Sequence, residues 1–287
     1  MAIRLGSAVI NKLMLGSTEL KKAYHGTTLI HDKTGGGPPP WTPADITTYA
    51  WYGSRPAHLW QDTAGTTAVT ADSQLVRRRD DLSGNGRHAL MSTDDRRTVY
   101  RTDGTHHWLE YDGADDGFTF SGTGWLRNIA GFTCVAGVRV ASAGSNTKTL
   151  ISTITTGATK FGLQNQSGGA QMRLIVSRTD ASGAGNISAN LSFDADQIHT
   201  AHADFAGTGG YSIQVDNNTA VTGTIPGTVG NSQDVDATGG CGLGGFGGST
   251  GNPFRGRDYG IVVTPLLSGD DLANLKTWMA MESGVTL

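Results

Sequence analysis

The chain has 287 residues, of which 42 are glycine; 16% of its side chains are charged, 37% are hydrophobic, and the formal net charge is −3. A balance this close to neutral excludes a general electrostatic attraction to nucleic acid or anionic membrane. Abundant glycine, serine and threonine argue against a helical bundle and for many short strands joined by tight turns.

The opening residues repeat with a period of ten. Leu5-Gly6-Ser7-Ala8-Val9, Leu15-Gly16-Ser17-Thr18-Glu19 and His25-Gly26-Thr27-Thr28-Leu29 each set a glycine and a small hydroxyl residue beside a short strand-forming run. Glycine tolerates positive φ at a tight turn, and the tail suits a pleated face. One copy is too short to bury a face alone. Residues 1–34 therefore read as an attachment or oligomerisation module, marked by Leu5, Gly6, Leu15, Gly16 and Gly26, whose copies stack on one another or on other chains. Gly35-Gly36-Gly37-Pro38-Pro39-Pro40 joins a flexible triplet to a stiff one, so residues 35–41 form a linker. Residues 42–287 are then one domain large enough to bury its own core.

Near the start of that domain, the basic run Arg77-Arg78-Arg79 is followed at once by Asp80-Asp81 and reads as a solvated charge cluster. Further on, candidate strands recur over 132–140, 149–155, 161–165, 171–177, 186–193, 198–205, 211–215, 220–224 and 259–264, with turn residues between them. Short strands without intervening helices predict antiparallel sheets, hence an all-β sandwich. The sharpest hairpin has Tyr211, Ile213 and Val215 on one face, Ser212 and Gln214 on the other, and Asp216-Asn217-Asn218 at the turn. One helix is predicted near the C-terminus. Ser268 is its N-cap, Asp270 and Asp271 lie in its first turn, Leu272, Leu275 and Met279 form its apolar stripe, and Gly284 stops it.

Cys134 and Cys241 are far apart and lack metal-ligand spacing; Cys134, within an apolar run, reads as buried. His199 and His202 are three apart, so on a strand they face opposite ways and make no zinc pair. The glycine-rich stretch 239–248 contains a G-x-G-x-x-G pattern without the strand–turn–helix context of a nucleotide loop. Met1 to Gly6 lacks a cationic, apolar leader, and no apolar run is long enough to cross a bilayer; cytoplasmic synthesis without membrane insertion is expected.

Several ordered motifs carry a resemblance. Asp80-Asp81-Leu82-Ser83-Gly84-Asn85-Gly86-Arg87-His88-Ala89, Leu109-Glu110-Tyr111-Asp112-Gly113-Ala114-Asp115-Asp116, Asp196 to Ala203, Tyr211 to Asn217, Phe254 to Val263 and Leu267 to Gly284 resemble, in this order, the motifs of laminin-G-like, concanavalin A-like lectin domains. Gln197-Ile198 stands where that family usually has tryptophan, and Asn217 stands in place of a glycine. Versions that open like Pro43 to Tyr52 behind a short repeat are similar to virion proteins of tailed bacteriophages and related particles. The resemblance implies a jelly-roll sandwich attached to a particle and located in the virion. Implied partners are other virion proteins, sister chains (a trimer being favoured) and host-surface glycan.

No cofactor is otherwise indicated. Asp112, Asp115 and Asp116 are of the type that coordinates calcium, although Asp and Gly more often make turns. Trp125 with Arg127 and Asn128 is the candidate glycan-binding patch, offering an aromatic face beside planar polar groups; core packing of Trp125 is the other reading. Catalytic residues are not indicated. The three glutamates, Glu19, Glu110 and Glu282, are scattered, and Asp194 with Asp196, the best local carboxylate pair, is explained by a turn. A non-enzymatic, glycan-contacting particle component is the expectation. A polysaccharide depolymerase on the same fold and a decoration protein without ligand are its alternatives.

Overall fold

A computed structural model was obtained for the chain. It describes the backbone of the strands within residues 4–32, and residues 41–287 except 92, 94–96, 121–125, 127, 143–146, 156–157, 167–168, 179–183, 229, 231, 233–240 and 246–251. The chain divides into two compact units, Met1–Thr42 and Pro43–Leu287.

In the first unit each repeat copy is an antiparallel hairpin. β1 (Arg4–Leu5) pairs with β2 (Ala8–Val9), β3 (Met14–Leu15) with β4 (Thr18–Glu19), and β5 (Lys22–His25) with β6 (Thr28–Asp32). Leu5 faces Ala8 and Leu15 faces Thr18 across two-residue connections. Gly6, Gly16 and Gly26 themselves lie outside the described residues.

The second unit is an antiparallel jelly-roll β-sandwich. Its strands are β7 (Ala50–Gly53), β8 (Leu59–Trp60), β9 (Leu75–Val76), β10 (Arg78–Arg79), β11 (Ala89–Leu90), β12 (Thr98–Thr102), β13 (His107–Asp112), β14 (Phe118–Phe120) and β15 (Gly131–Val140). They continue with β16 (Lys148–Thr155), β17 (Ala158–Asn165), β18 (Gln171–Val176), β19 (Gly185–Asn190), β20 (Asp196–Asp204), β21 (Gly210–Val215), β22 (Val221–Thr224), β23 (Cys241–Leu243) and β24 (Arg255–Thr264). The front sheet runs β22-β21-β20-β15-β24-β13-β12-β9, with β7 also on β24; the back sheet runs β19-β18-β17-β16-β23-β14-β11-β10-β8.

Alternation accounts for the core. Phe132, Cys134, Ala136, Val138 and Val140 of β15 turn inward with Leu109, Tyr111, Ala201, Ile261 and Val263, and meet Phe161, Leu163 and Leu174 of the back sheet. Phe132 and Phe161 meet edge to face at 4.6 Å between ring centroids. Strands predicted from 132 onward are found within a few residues of their expected ends, and Asp216 takes φ +53° at the predicted hairpin. The short strand β23, within the glycine-rich stretch, was not predicted.

The helix, α1, spans Gly269–Ser283, and Gly284 closes it at φ +71°; Ser268 sits at the N-cap but its side chain makes no capping bond. Leu275 and Met279 are buried against the outer face of the front sheet, whereas Leu272 is half-buried. Gly137 and Gly260 pair directly beneath α1. A Cβ at Gly137 would come within 3.1 Å of Met279 Sδ, so glycine there lets the helix approach. A bulge in β24 falls at Tyr259, whose ring meets that of Trp108.

One expectation fails inside the sandwich. Arg79, expected in a solvated cluster, is fully buried and joins the two sheets. Its guanidinium donates Nη1 to Asp258 Oδ2 at 2.6 Å, Nη2 to Asp258 Oδ1 at 3.2 Å and to Ser54 Oγ at 3.0 Å, and Nε to the Gly53 carbonyl at 3.0 Å. The three arginines occupy a strand end where alternation sends Arg78 outward and Arg79 inward, and a buried charge persists only with such a full set of partners.

Candidate functional site

The residues singled out in the sequence do not form one site. Trp125 and Arg127 lie outside the described residues. Asn128 is exposed at φ +55° in a loop held by Ser232, whose Oγ accepts from Ile129 N at 2.8 Å and donates to the Leu126 carbonyl at 2.9 Å. This loop enters β15 at Gly131.

The acidic motif is a turn at the other end of the front sheet, between β13 and β14. Asp112 Oδ1 accepts from Ala114 N at 2.7 Å, and Asp116 Oδ2 accepts from Asp112 N at 2.8 Å. Asp112, Asp115 and Asp116 each bring a carboxylate oxygen within 4.8 Å of the others. Asp116 is buried, and that burial, with repulsion from its two neighbours, pushes its carboxyl up to about 7. Oxygen donors of this kind suit a hard cation such as calcium, and the hydrogen bonds equally make an Asx turn.

The Asp-Leu-Ser-Gly-Asn-Gly motif is also structural. Asp81 accepts from Trp51 N at 3.1 Å, Ser83 N at 3.0 Å and Arg87 N at 3.0 Å, with Gly84 and Gly86 at φ +81° and +69°. Asn85 Nδ2 donates to the carbonyls of Thr48 and Tyr49 at 3.1 and 3.2 Å, tying the loop to the chain ahead of β7. Cys134 is buried as expected. His199 faces inward, with no partner for either ring nitrogen among the described residues, and burial pushes its imidazole down to about 3. His202 bonds Thr133 Oγ1 at 3.2 Å. Asp194 is a turn residue at φ +59° that accepts from Ser142 N at 3.2 Å.

What sequence reading missed is a row straight across the outer face of the front sheet. Glu110 on β13 pairs in register with Arg257 on β24, Arg257 with Arg139 on β15, and Arg139 with Asp196 on β20. Asp196 takes Arg139 Nε at 2.9 Å and also its Nη2. Tyr259 Oη donates to Asp196 Oδ1 at 2.7 Å. Burial first, and then Asp196, push that phenol up to about 12. At the other end, Arg257 Nε lies 3.4 Å from Glu110 Oε2, which also accepts from Trp108 Nε1 at 2.8 Å. The Arg257 guanidinium lies 4.4 Å from the centre of the Trp108 ring, and Trp108 meets Tyr259 at 5.8 Å. The four charged side chains are between 24 and 39% exposed, within reach of a solute. The one signal in the sequence was the alternation Trp108-x-Glu110 and Arg257-x-Tyr259 on strands; nothing local linked them to Arg139 and Asp196.

A separate groove of about 310 Å³ lies between the edge strands β19 and β22, lined by Ala189, Asn190, Val215, Asn218, Thr219 and Val221. Among the described residues no helix is long and apolar enough to cross a membrane.

No family model matches the chain, and no curated protein gives a significant match. Solved structures share the fold. The botulinum neurotoxin serotype D binding domain is 10% identical with a TM-score of 0.54 over 82% of this chain and 52% of that one. Trypanosoma rangeli sialidase in complex with sialic acid is 12% identical with a TM-score of 0.51, over 82% of this chain and 32% of that one. The Ruminococcus gnavus IT-sialidase module CBM40 bound to α2,3-sialyllactose aligns over 60% of this chain and 95% of that one, at 16% identity and a TM-score of 0.48. At these identities the likeness is one of fold.

Proposed function

We propose that the chain is a non-enzymatic virion component of a tailed bacteriophage or related particle, acting as a tail-fibre, receptor-binding or decoration protein. Residues 1–34 dock on the particle and associate with sister chains as a trimer, and the sandwich is displayed to contact host-surface glycan. The tandem hairpins ahead of a Gly/Pro linker support the first half, since a two-stranded hairpin is marginal until neighbours complete it. For the second half, the carrying observation is the row from Trp108 to Asp196, in which planar polar side chains 24 to 39% exposed lie against the buried aromatic rings of Trp108 and Tyr259. Sugar recognition uses such groups, held in fixed orientation and paired with hydroxyls. Several displayed copies turn weak contacts into avidity.

The non-enzymatic reading is supported by the carboxylates. Glu110 and Asp196 stand on strands three spacings apart, roughly 14 Å at the backbone. Glycoside hydrolysis needs two carboxyl groups converging on one sugar, about 5–10 Å apart, whereas each of these acids is already held by its own arginine. A glycan array probed with the intact chain tests the contact, and particle incorporation of a chain lacking residues 1–34 tests the docking. Glycan capture and loss of incorporation are expected. An array without any bound glycan, normal incorporation of the truncated chain, or release of reducing sugar from host polysaccharide would each overturn the corresponding part.

A further inference from the structure

The centre of the outer row sets two like charges side by side. Arg139 and Arg257 are direct cross-strand partners, an arrangement that destabilises a sheet unless something negative bridges it. Their acids sit outside them rather than between them. Asp196 engages Nε and Nη2 of Arg139 from the β20 side, and Glu110 engages Nε of Arg257 from the β13 side. Among the described residues no acceptor takes Nη1 of Arg139 or Nη2 of Arg257; Arg257 Nη1 has only the Tyr259 hydroxyl, at 3.5 Å. Both guanidiniums are oriented in advance, one by its carboxylate fork and the other by lying on Trp108. Both are also open to solvent, 29% and 28% exposed.

Unspent N–H donors on two oriented guanidiniums of directly paired strand residues suit a planar or tetrahedral oxyanion, which takes paired N–H···O bonds that a single ammonium cannot supply in that geometry. The two flanking acids neutralise the row as a whole, so it favours a single anionic group over a polyanion. We propose that Arg139 and Arg257 together bind the carboxylate or sulfate group of an acidic saccharide, with Tyr259 and Trp108 forming the floor beside it. This inference rests on the glycan-contact reading above and narrows it to charged sugars at a named place.

The test titrates the intact chain with glucuronate, glucose 6-sulfate and glucose, by calorimetry and by saturation-transfer NMR, alongside the glycan array. At least one acidic sugar is expected to bind where glucose does not, more weakly as salt rises, and the stronger of the two identifies the anion. Arg139→Gln and Arg257→Gln should each weaken that binding at least tenfold. Arg257→Lys, which keeps the charge and loses the fork, should fail to restore it, and circular dichroism of each variant should show the fold intact. Equal binding of glucose, or acidic-sugar binding unchanged in both Gln variants, would overturn the site while leaving glycan contact standing. An intact chain that binds none of the three sugars and nothing on the array would overturn both.

Discussion

Arg257 and Asp258 are neighbours on β24, yet they belong to different chemistry. Asp258 turns into the sandwich and closes on Arg79 with no solvent exposure on either side chain, whereas Arg257 turns outward and is itself 28% exposed. The inner pair is a bolt between sheets: every donor it spends is on protein, and breaking one side strands a charge in the core. In the outer row each charge keeps water within reach, so the same residue types contribute little to stability and remain available to a ligand. Burial, not residue type, separates the structural ion pair from the candidate site.

The comparison breaks most sharply at Arg79. Arg79→Met should cost about 3–5 kcal/mol by leaving Asp258 buried and uncompensated, and the double change with Asp258→Leu should recover most of that. Thermal unfolding of the three proteins is the measurement, and a single variant that melts like the parent would remove the bolt.

His199 gives the second largest effect. Its folded-state imidazole, depressed to about 3, cannot take the proton that the unfolded chain accepts near 6.5. Stability from this group is therefore full above 6.5 and is lost as pH falls, by roughly 3 kcal/mol at pH 4.5. Denaturant melts of His199→Leu against the parent from pH 7 to pH 4.5 should show a flatter acid limb in the variant; parallel curves would contradict the sealed imidazole.

At the acidic turn the sign reverses. Asp116, raised to about 7, favours its protonated form in the fold, so its contribution worsens as pH climbs from the unfolded value near 4 toward 7. Asp116→Asn keeps an oxygen for the Asp112 N–H and should stabilise the protein near neutral pH by about 1 kcal/mol in metal-free buffer. A lower melting temperature for that variant under those conditions would mean that the repulsion is already relieved.

The smallest effect belongs to the outer row. Asp196→Asn should cost less than about 1 kcal/mol, because a partly exposed pair gains little net energy. A loss as large as that of Arg79→Met would make the row structural and erase the contrast between the two faces.

The sequence by itself determined the strands from residue 132 onward apart from β23, the C-terminal helix with its closing Gly284, the hairpin turn at Asp216 and the repeat that becomes three hairpins, since each follows from residue alternation, helical spacing or glycine placement within about ten residues. It also marked Asp112–Asp116 as a turn rich in carboxylates, with a cation site as the less frequent use of such residues. Only the tertiary structure decided that Arg79 is buried: the partner that makes burial tolerable lies 179 residues away, across the sandwich. The same holds for the row of Trp108, Glu110, Arg139, Asp196, Arg257 and Tyr259, which four strands and a bulge bring into line. Antiparallel pairing joins segments far apart in the chain, and the register that aligns them is a property of the folded sheet, so no local pattern could announce which charged residues would meet.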